Sequence, residues 1–149
     1  MIIGIIIGVL LLLIDQITKW IATANLPYRA YVDVIPGVFR WHYTLNDGMA
    51  FGWLGGATWV LILVTVIGLG IMAYLLKDFN LSTNRVYSIA MILMIAGTLG
   101  NFIDRLFRDG HVIDFLNLTI FPWTFNFADM YLTFGVILFA IDTFFVKKG

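Results

Sequence analysis

Four apolar stretches, each about the length of a bilayer crossing, constrain this chain more than any other feature. Residues 2–23, 57–76, 86–103 and 126–146 are almost wholly hydrophobic. A helix needs about 20 such residues to cross the hydrocarbon core. In lipid the backbone must satisfy its own polar groups, so each stretch is expected to be helical. Only 12% of the residues are charged and 61% are hydrophobic, whereas a soluble domain carries about 25% charged residues. The expected fold class is an all-α polytopic membrane protein. It has four transmembrane helices, a small extracytoplasmic β-sheet and a second surface segment. One domain over residues 1–149 is the natural count at this length. Net charge is zero, so a polybasic surface for nucleic acid or anionic lipid is excluded.

Residues 1–13 could pass for a signal-peptide core, with Ala22-Thr23-Ala24 as a cleavage mimic. No Lys or Arg precedes the run, and Asp15 and Lys19 interrupt the approach to that site. A retained first helix is therefore expected. Asp15 and Lys19 stand i,i+4 in the better acid-first order, which predicts an ion pair on one face. Four spans put both termini on one side. Counting Lys and Arg near the spans gives a tie, with Lys77, Arg85, Lys147 and Lys148 against Arg29, Arg40, Arg105 and Arg108. The second set sits among polar motifs, so the Lys-Lys tail favours cytoplasmic termini.

Two segments join the spans on the opposite side. In residues 24–56, Phe39, Trp41, Tyr43 and Leu45 alternate with Arg40, His42, Thr44 and Asn46, the period of a half-buried strand. Trp and Tyr also suit the membrane interface. Asn46-Asp47-Gly48 reads as a turn, followed by Met49-Ala50-Phe51-Gly52. Residues 106–125 form the second surface segment, with Asp109-Gly110 as a turn and Pro122-Trp123 before the last span. At the end of the third span, Gly97 and Gly100 allow close helix contact, and Asn101 and Arg105 share a face.

The chain has no cysteine and no glutamate, and its only serines, Ser82 and Ser88, lie far from the polar clusters. With His42 and His111 as the only histidines, a thiol nucleophile, a Ser-His-Asp triad or a three-His zinc site is hard to assemble. Carboxylate chemistry remains. Charges beside hydrocarbon are costly and mark functional candidates, and Asp104, Arg105, Asp114, Asn126 and Asp129 crowd into residues 101–129. Asp104 and Arg105 can neutralise one another or pair with backbone, which leaves Asp114 and Asp129 without an obvious cation. Two close carboxylates cannot both ionise cheaply, so one keeps a proton. That state suits water attack on a peptide carbonyl. Each aspartate also has a structural reading: Asn126 is a good helix N-cap, and an acid three residues later suits cap and dipole. A hard cation held by Asp104, Asp114 and Asp129 is another use of the same oxygens. A proton pathway through Asp15 and Lys19, or a membrane scaffold, are the competing classes. Polar residues gathered near one membrane face argue against the pathway, since such proteins place them at midplane.

At these residues the chain resembles the lipoprotein signal peptidase family, signal peptidase II, of bacterial cytoplasmic membranes. The resemblance covers nearly the whole chain. It is carried in order by Asp15 with Thr18-Lys19, Asn46-x-Gly48-x-Ala50-Phe51, Gly100-Asn101-x-x-Asp104-Arg105, Val112-x-Asp114-Phe115 and Phe125-Asn126-x-Ala128-Asp129. It implies an aspartic endopeptidase of the cytoplasmic membrane, with its active site outside near the outer leaflet. Such an enzyme removes the signal peptide from a diacylglyceryl-modified prolipoprotein, cutting before the lipid-modified cysteine. The family's catalytic pair falls on Asp114 and Asp129. Its supporting or substrate-binding residues fall on Asp15, Asn46, Asn101, Asp104, Arg105 and Asn126, and the ion-pair partner Lys19 joins that set. Its surface sheet matches residues 30–45. The implied partners are the prolipoprotein and membrane lipid, with no nucleic acid, no cofactor and no metal, and a monomer is expected. Ala96-Gly97 stands where the family usually has paired glycines, and Met130 where it usually has a small polar residue.

Overall fold

The computed structural model describes residues 1–48 and 58–146. Four helices in it are long and apolar enough to cross a membrane. They are α1 (Ile2–Asn25), α2 (Thr58–Leu75, extended by a 3-10 turn Leu76–Asp78), α3 (Arg85–Phe107) and α4 (Phe127–Ile141, continued by a π turn Asp142–Val146). The protein is a multi-pass membrane protein. The stretch Met49-Ala50-Phe51-Gly52, and with it half of one motif, lies outside the described residues, as does Lys147-Lys148.

The third helix is the axis of the bundle. Half of its apolar window is buried, against 17%, 0% and 11% for α1, α2 and α4. Small residues explain why. A side chain at Gly97 would strike the Ala128 carbonyl and come within 2.8 Å of the Leu132 nitrogen, so α3 and α4 approach closely there. A Cβ at Gly100 would sit 2.6 Å from Asp15 Oδ2 and 3.0 Å from the Ala128 Cβ. Gly100 is thus the point where α1, α3 and α4 converge. Ala96, in place of the family's other glycine, is buried and lines an apolar cleft between α1 and α3. The second helix buries none of its residues and meets the bundle mainly along α3.

Three strands form one antiparallel sheet in the order β1 (Tyr31–Ile35), β2 (Phe39–Asn46), β3 (Val112–Leu118). The second is the strand read from alternation, and the first pairs with it as an antiparallel neighbour. The third was read only as a surface segment. Six of its seven residues are buried, so Val-Ile-Asp-Phe-Leu-Asn shows no two-residue period. Its outer edge is closed by Phe125, whose backbone exchanges hydrogen bonds of 2.8 and 2.9 Å with Leu116, which removes a free strand edge. Pairing of β2 with β3 also places the α1–α2 and α3–α4 connections at the same end of the bundle. Ala22, Ile113, Phe115 and Leu116 form the core between sheet and helices, with Trp41, Phe127 and Met130 packed against it. Met130 therefore fills the apolar side of the first α4 turn. The register slips between Trp41 and Thr44, and this bulge brings Thr44 opposite Asp114.

Candidate active site

Asp114 sits near the start of β3, and Asp129 in the first turn of α4. One residue holds both. The Asn126 side chain donates to Asp114 Oδ1 at 2.7 Å, and its backbone nitrogen donates to Asp129 Oδ2 at 3.2 Å. Asn126 Oδ1 in turn accepts from the Asp129 nitrogen at 2.9 Å. This is a capping box, with an aspartate in the position where Glu or Gln is usual. The structural reading of Asn126 as the helix cap and Asp129 as its partner is therefore borne out. Asp129 uses one oxygen for the cap, and its other accepts from Asn101 Nδ2 at 2.7 Å.

The opposite oxygen of Asp114 accepts from Asn46 Nδ2 at 2.8 Å. Asn46 reaches it from the end of β2, where its own Oδ1 takes the Gly48 nitrogen at 2.8 Å. Gly48 has φ +78°, a left-handed turn conformation that glycine adopts freely. The Asn46-Asp47-Gly48 turn thus aims the Asn46 amide. Asp114 is 1% exposed. Its carboxyl is pushed up from 3.8 to about 7, first by burial and then by the Asp129 charge, while the Asn46 and Asn126 amides and Lys19 pull it down. Burial and the neighbouring charge thus favour the protonated form of this carboxyl.

Behind the pair lies a buried ionic layer. Lys19 Nζ lies 2.9 Å from Asp15 Oδ2, 2.9 Å from Asp104 Oδ2 and 3.0 Å from Asn101 Oδ1. Lys19, Asp15 and Asp104 are all 0% exposed, so this layer is closed to solvent. Asp15 Oδ1 also accepts from the Ala128 nitrogen at 2.9 Å, and so caps α4 from another helix. Asn101 passes this order forward, since its Oδ1 accepts from Lys19 and from Asn126 at 3.1 Å and its amide donates to Asp129.

Three readings change. Asp104 is not neutralised by Arg105: it pairs with Lys19 and with Arg108 Nε at 3.3 Å, and accepts from the Ile113 nitrogen at 3.2 Å. The third helix runs to Phe107, which turns Asp104 inward and leaves Arg105 on the face toward the pair. Asp114 and Asp129 also do not lack a cation, because Arg105 lies within electrostatic reach of both. Its Nε is buried with no hydrogen-bond partner among the described residues. Gln16 was missed. Its amide donates to Asp15 Oδ2 at 3.1 Å, the Gly100 carbonyl at 3.1 Å and Asp104 Oδ1 at 3.3 Å. A polar residue inside an apolar run was the available signal, as was the acid-first i,i+4 spacing of Asp104 and Arg108.

The sequence profile described as Signal peptidase (SPase) II matches residues 7–145. A protein named lipoprotein signal peptidase from Latilactobacillus sakei subsp. sakei (strain 23K) is 41% identical, over 99% of this chain and 97% of its own. Another of that name from Listeria monocytogenes serotype 4a (strain HCC23) is 37% identical, over 88% and 86%. A bacterial membrane enzyme solved by the in meso method superposes with a TM-score of 0.86 at 34% identity, covering 95% of this chain and 92% of that one. Matched by profile, by relatives and by fold across its four helices and the sheet between them, this chain belongs to the signal peptidase II family.

Proposed function

We propose that this protein is an aspartic endopeptidase that removes the signal peptide from diacylglyceryl-modified prolipoproteins, cutting before the lipid-modified cysteine. The observation that carries the reading is Asn126, which donates to Asp114 through its side chain and to Asp129 through its backbone. The two carboxyls are thereby held around one residue, with different surroundings. Asp129, fixed by the cap and by Asn101, takes a proton from a water as the water attacks the scissile carbonyl. Asp114, protonated near neutral pH, donates to the developing oxyanion. When the C–N bond breaks, a proton passes to the leaving amine. The new carboxyl stays on the signal peptide and the new amine on the cysteine. The pair titrates as a unit. Asp104, the third oxygen donor a hard cation would need, already pairs with Lys19 and Arg108, so the arrangement favours acid–base chemistry over metal ligation.

The substrate remains in the bilayer, so its route in is lateral. Such a route is supported by α2, which buries none of its residues and meets the bundle mainly along α3. Arg105, with its unpartnered Nε, donates to substrate carbonyls. The enzyme acts as a monomer, with cytoplasmic termini and the pair facing outward.

The test is cleavage of a diacylglyceryl prolipoprotein by Asp114→Asn and Asp129→Asn, made separately. Each variant folds and inserts but loses roughly 10²–10⁴-fold in kcat or more. Substantial turnover by either folded variant would sink the pairing.

A further inference from the structure

The end of β2, the start of β3 and the segment before α4 enclose an open groove of about 430 Å³, lined by His42, Thr44, Leu45, Asn46, Asp114 and Thr124, with Trp123 at its wall. This volume is in the range of a ligand site. One end of the groove is the Asp114 carboxyl. At the other end His42 Nδ1 and Thr124 Oγ1 are 2.9 Å apart.

The far end is held in place from several sides. The His42 ring stacks on Tyr31 with centroids 4.0 Å apart. Burial and the Arg40 charge lower the His42 pKa, against a hydrogen bond from its ring to the Arg29 backbone, so the ring is neutral near pH 7. A ring proton spent on the Arg29 carbonyl leaves Nδ1 as an acceptor. Thr124 then donates its hydroxyl hydrogen to Nδ1 and keeps its oxygen lone pairs for another donor. In this arrangement His42 positions Thr124.

A peptide cut at Asp114 has two sides of opposite character. The signal segment is apolar and belongs among the helices. The segment beyond the modified cysteine leaves the membrane as an ordinary polar chain. This groove mixes polar and apolar groups. We infer that it is the subsite for the extended peptide on the far side of the scissile bond, with Thr124 accepting a backbone N–H of that segment. Thr44 lies opposite Asp114, so the groove begins beside that carboxyl and runs on to His42 and Thr124. This assignment rests on the peptidase reading above.

The experiment compares two diacylglyceryl-modified substrates, one continuing four residues beyond the cysteine and one ending there as an amide. The wild type favours the longer substrate by about five- to tenfold in kcat/KM, the size of one hydrogen bond and its neighbours. Thr124→Val and His42→Phe bring that ratio close to one, through KM, while kcat/KM on the short substrate stays within about twofold. Thr124→Ser restores the ratio. A purely structural role would lower both substrates together and leave the ratio intact, which overturns the assignment. So does a wild-type ratio near one. Cleavage of neither substrate by the wild type removes the peptidase reading itself, and the subsite with it.

Discussion

Asn46 shows how much one amide decides. Its hydrogen bond to Asp114 Oδ2 favours the ionised carboxyl and so works against burial and the Asp129 charge, which hold Asp114 at about 7. Because the folded state keeps a proton that the unfolded chain releases near 3.8, this group's contribution to stability falls as pH rises from about 4 to about 7. For activity the proposed mechanism has a similar sign: it uses a protonated Asp114, so the rate is expected to decline as pH rises through its pKa. Asn46→Ala removes a bond that lowers that pKa. The alkaline limb of kcat is therefore expected to shift to higher pH, with a smaller maximum. A pH–rate profile whose limb stays in place or moves down would show that Asp114 does not set it. At the same scale, Asp114 and Asp129 could be singled out from sequence because charged residues are rare in this chain. Their unequal surroundings could not, since Asn46 and Asn101 come from segments 68 and 28 residues away.

An ionic layer links α1 to α3 and reaches α4 through the Ala128 nitrogen. Lys19 is its hub, with both Asp15 and Asp104 at 2.9 Å and no exposure. Removing one partner of a buried ion pair leaves uncompensated charge and typically costs about 3–5 kcal/mol. Lys19→Met keeps the volume, removes the ion-pair partner of Asp15 and leaves Asp104 with Arg108 alone. It is expected to lower the thermal midpoint in detergent markedly and to reduce activity by loosening Asn101. A midpoint within a degree or two of wild type would show that the layer is not under this constraint. The i,i+4 pair within α1 was legible because it is local. The arrival of Asp104 from α3 was not, since the sequence shows Asp104 beside Arg105 and does not reveal which face of the lengthened helix turns inward. The same reason hid β3, whose burial on both faces erases its period.

For the molecule as a whole, pairing of β2 with β3 brings both connections to one end, and the orientation proposed above puts that end outside. The chain lacks cysteine, so single thiols report on it cleanly. Asp33 on β1 and Ser82 in the α2–α3 turn are both exposed. With cytoplasmic termini, a membrane-impermeant maleimide labels Asp33→Cys in intact cells and Ser82→Cys only after permeabilisation. The reverse pattern would invert the topology and place the pair inside.

The sequence by itself determined the four spans, the alternating strand at residues 39–46, the turns at Asn46-Asp47-Gly48 and Asp109-Gly110, and the carboxyls worth attention. Each of these follows from local chemistry: the length of an apolar run, a two-residue period, a glycine turn, or the cost of charge near lipid. Only the tertiary structure decided which groups meet. Gly97 and Gly100 let three helices close to backbone distance, the bulge in β2 sets Thr44 and Asn46 against Asp114, and Asn126 spans the gap to Asp129. Those contacts join residues far apart along the chain, and their geometry depends on packing that no local pattern encodes.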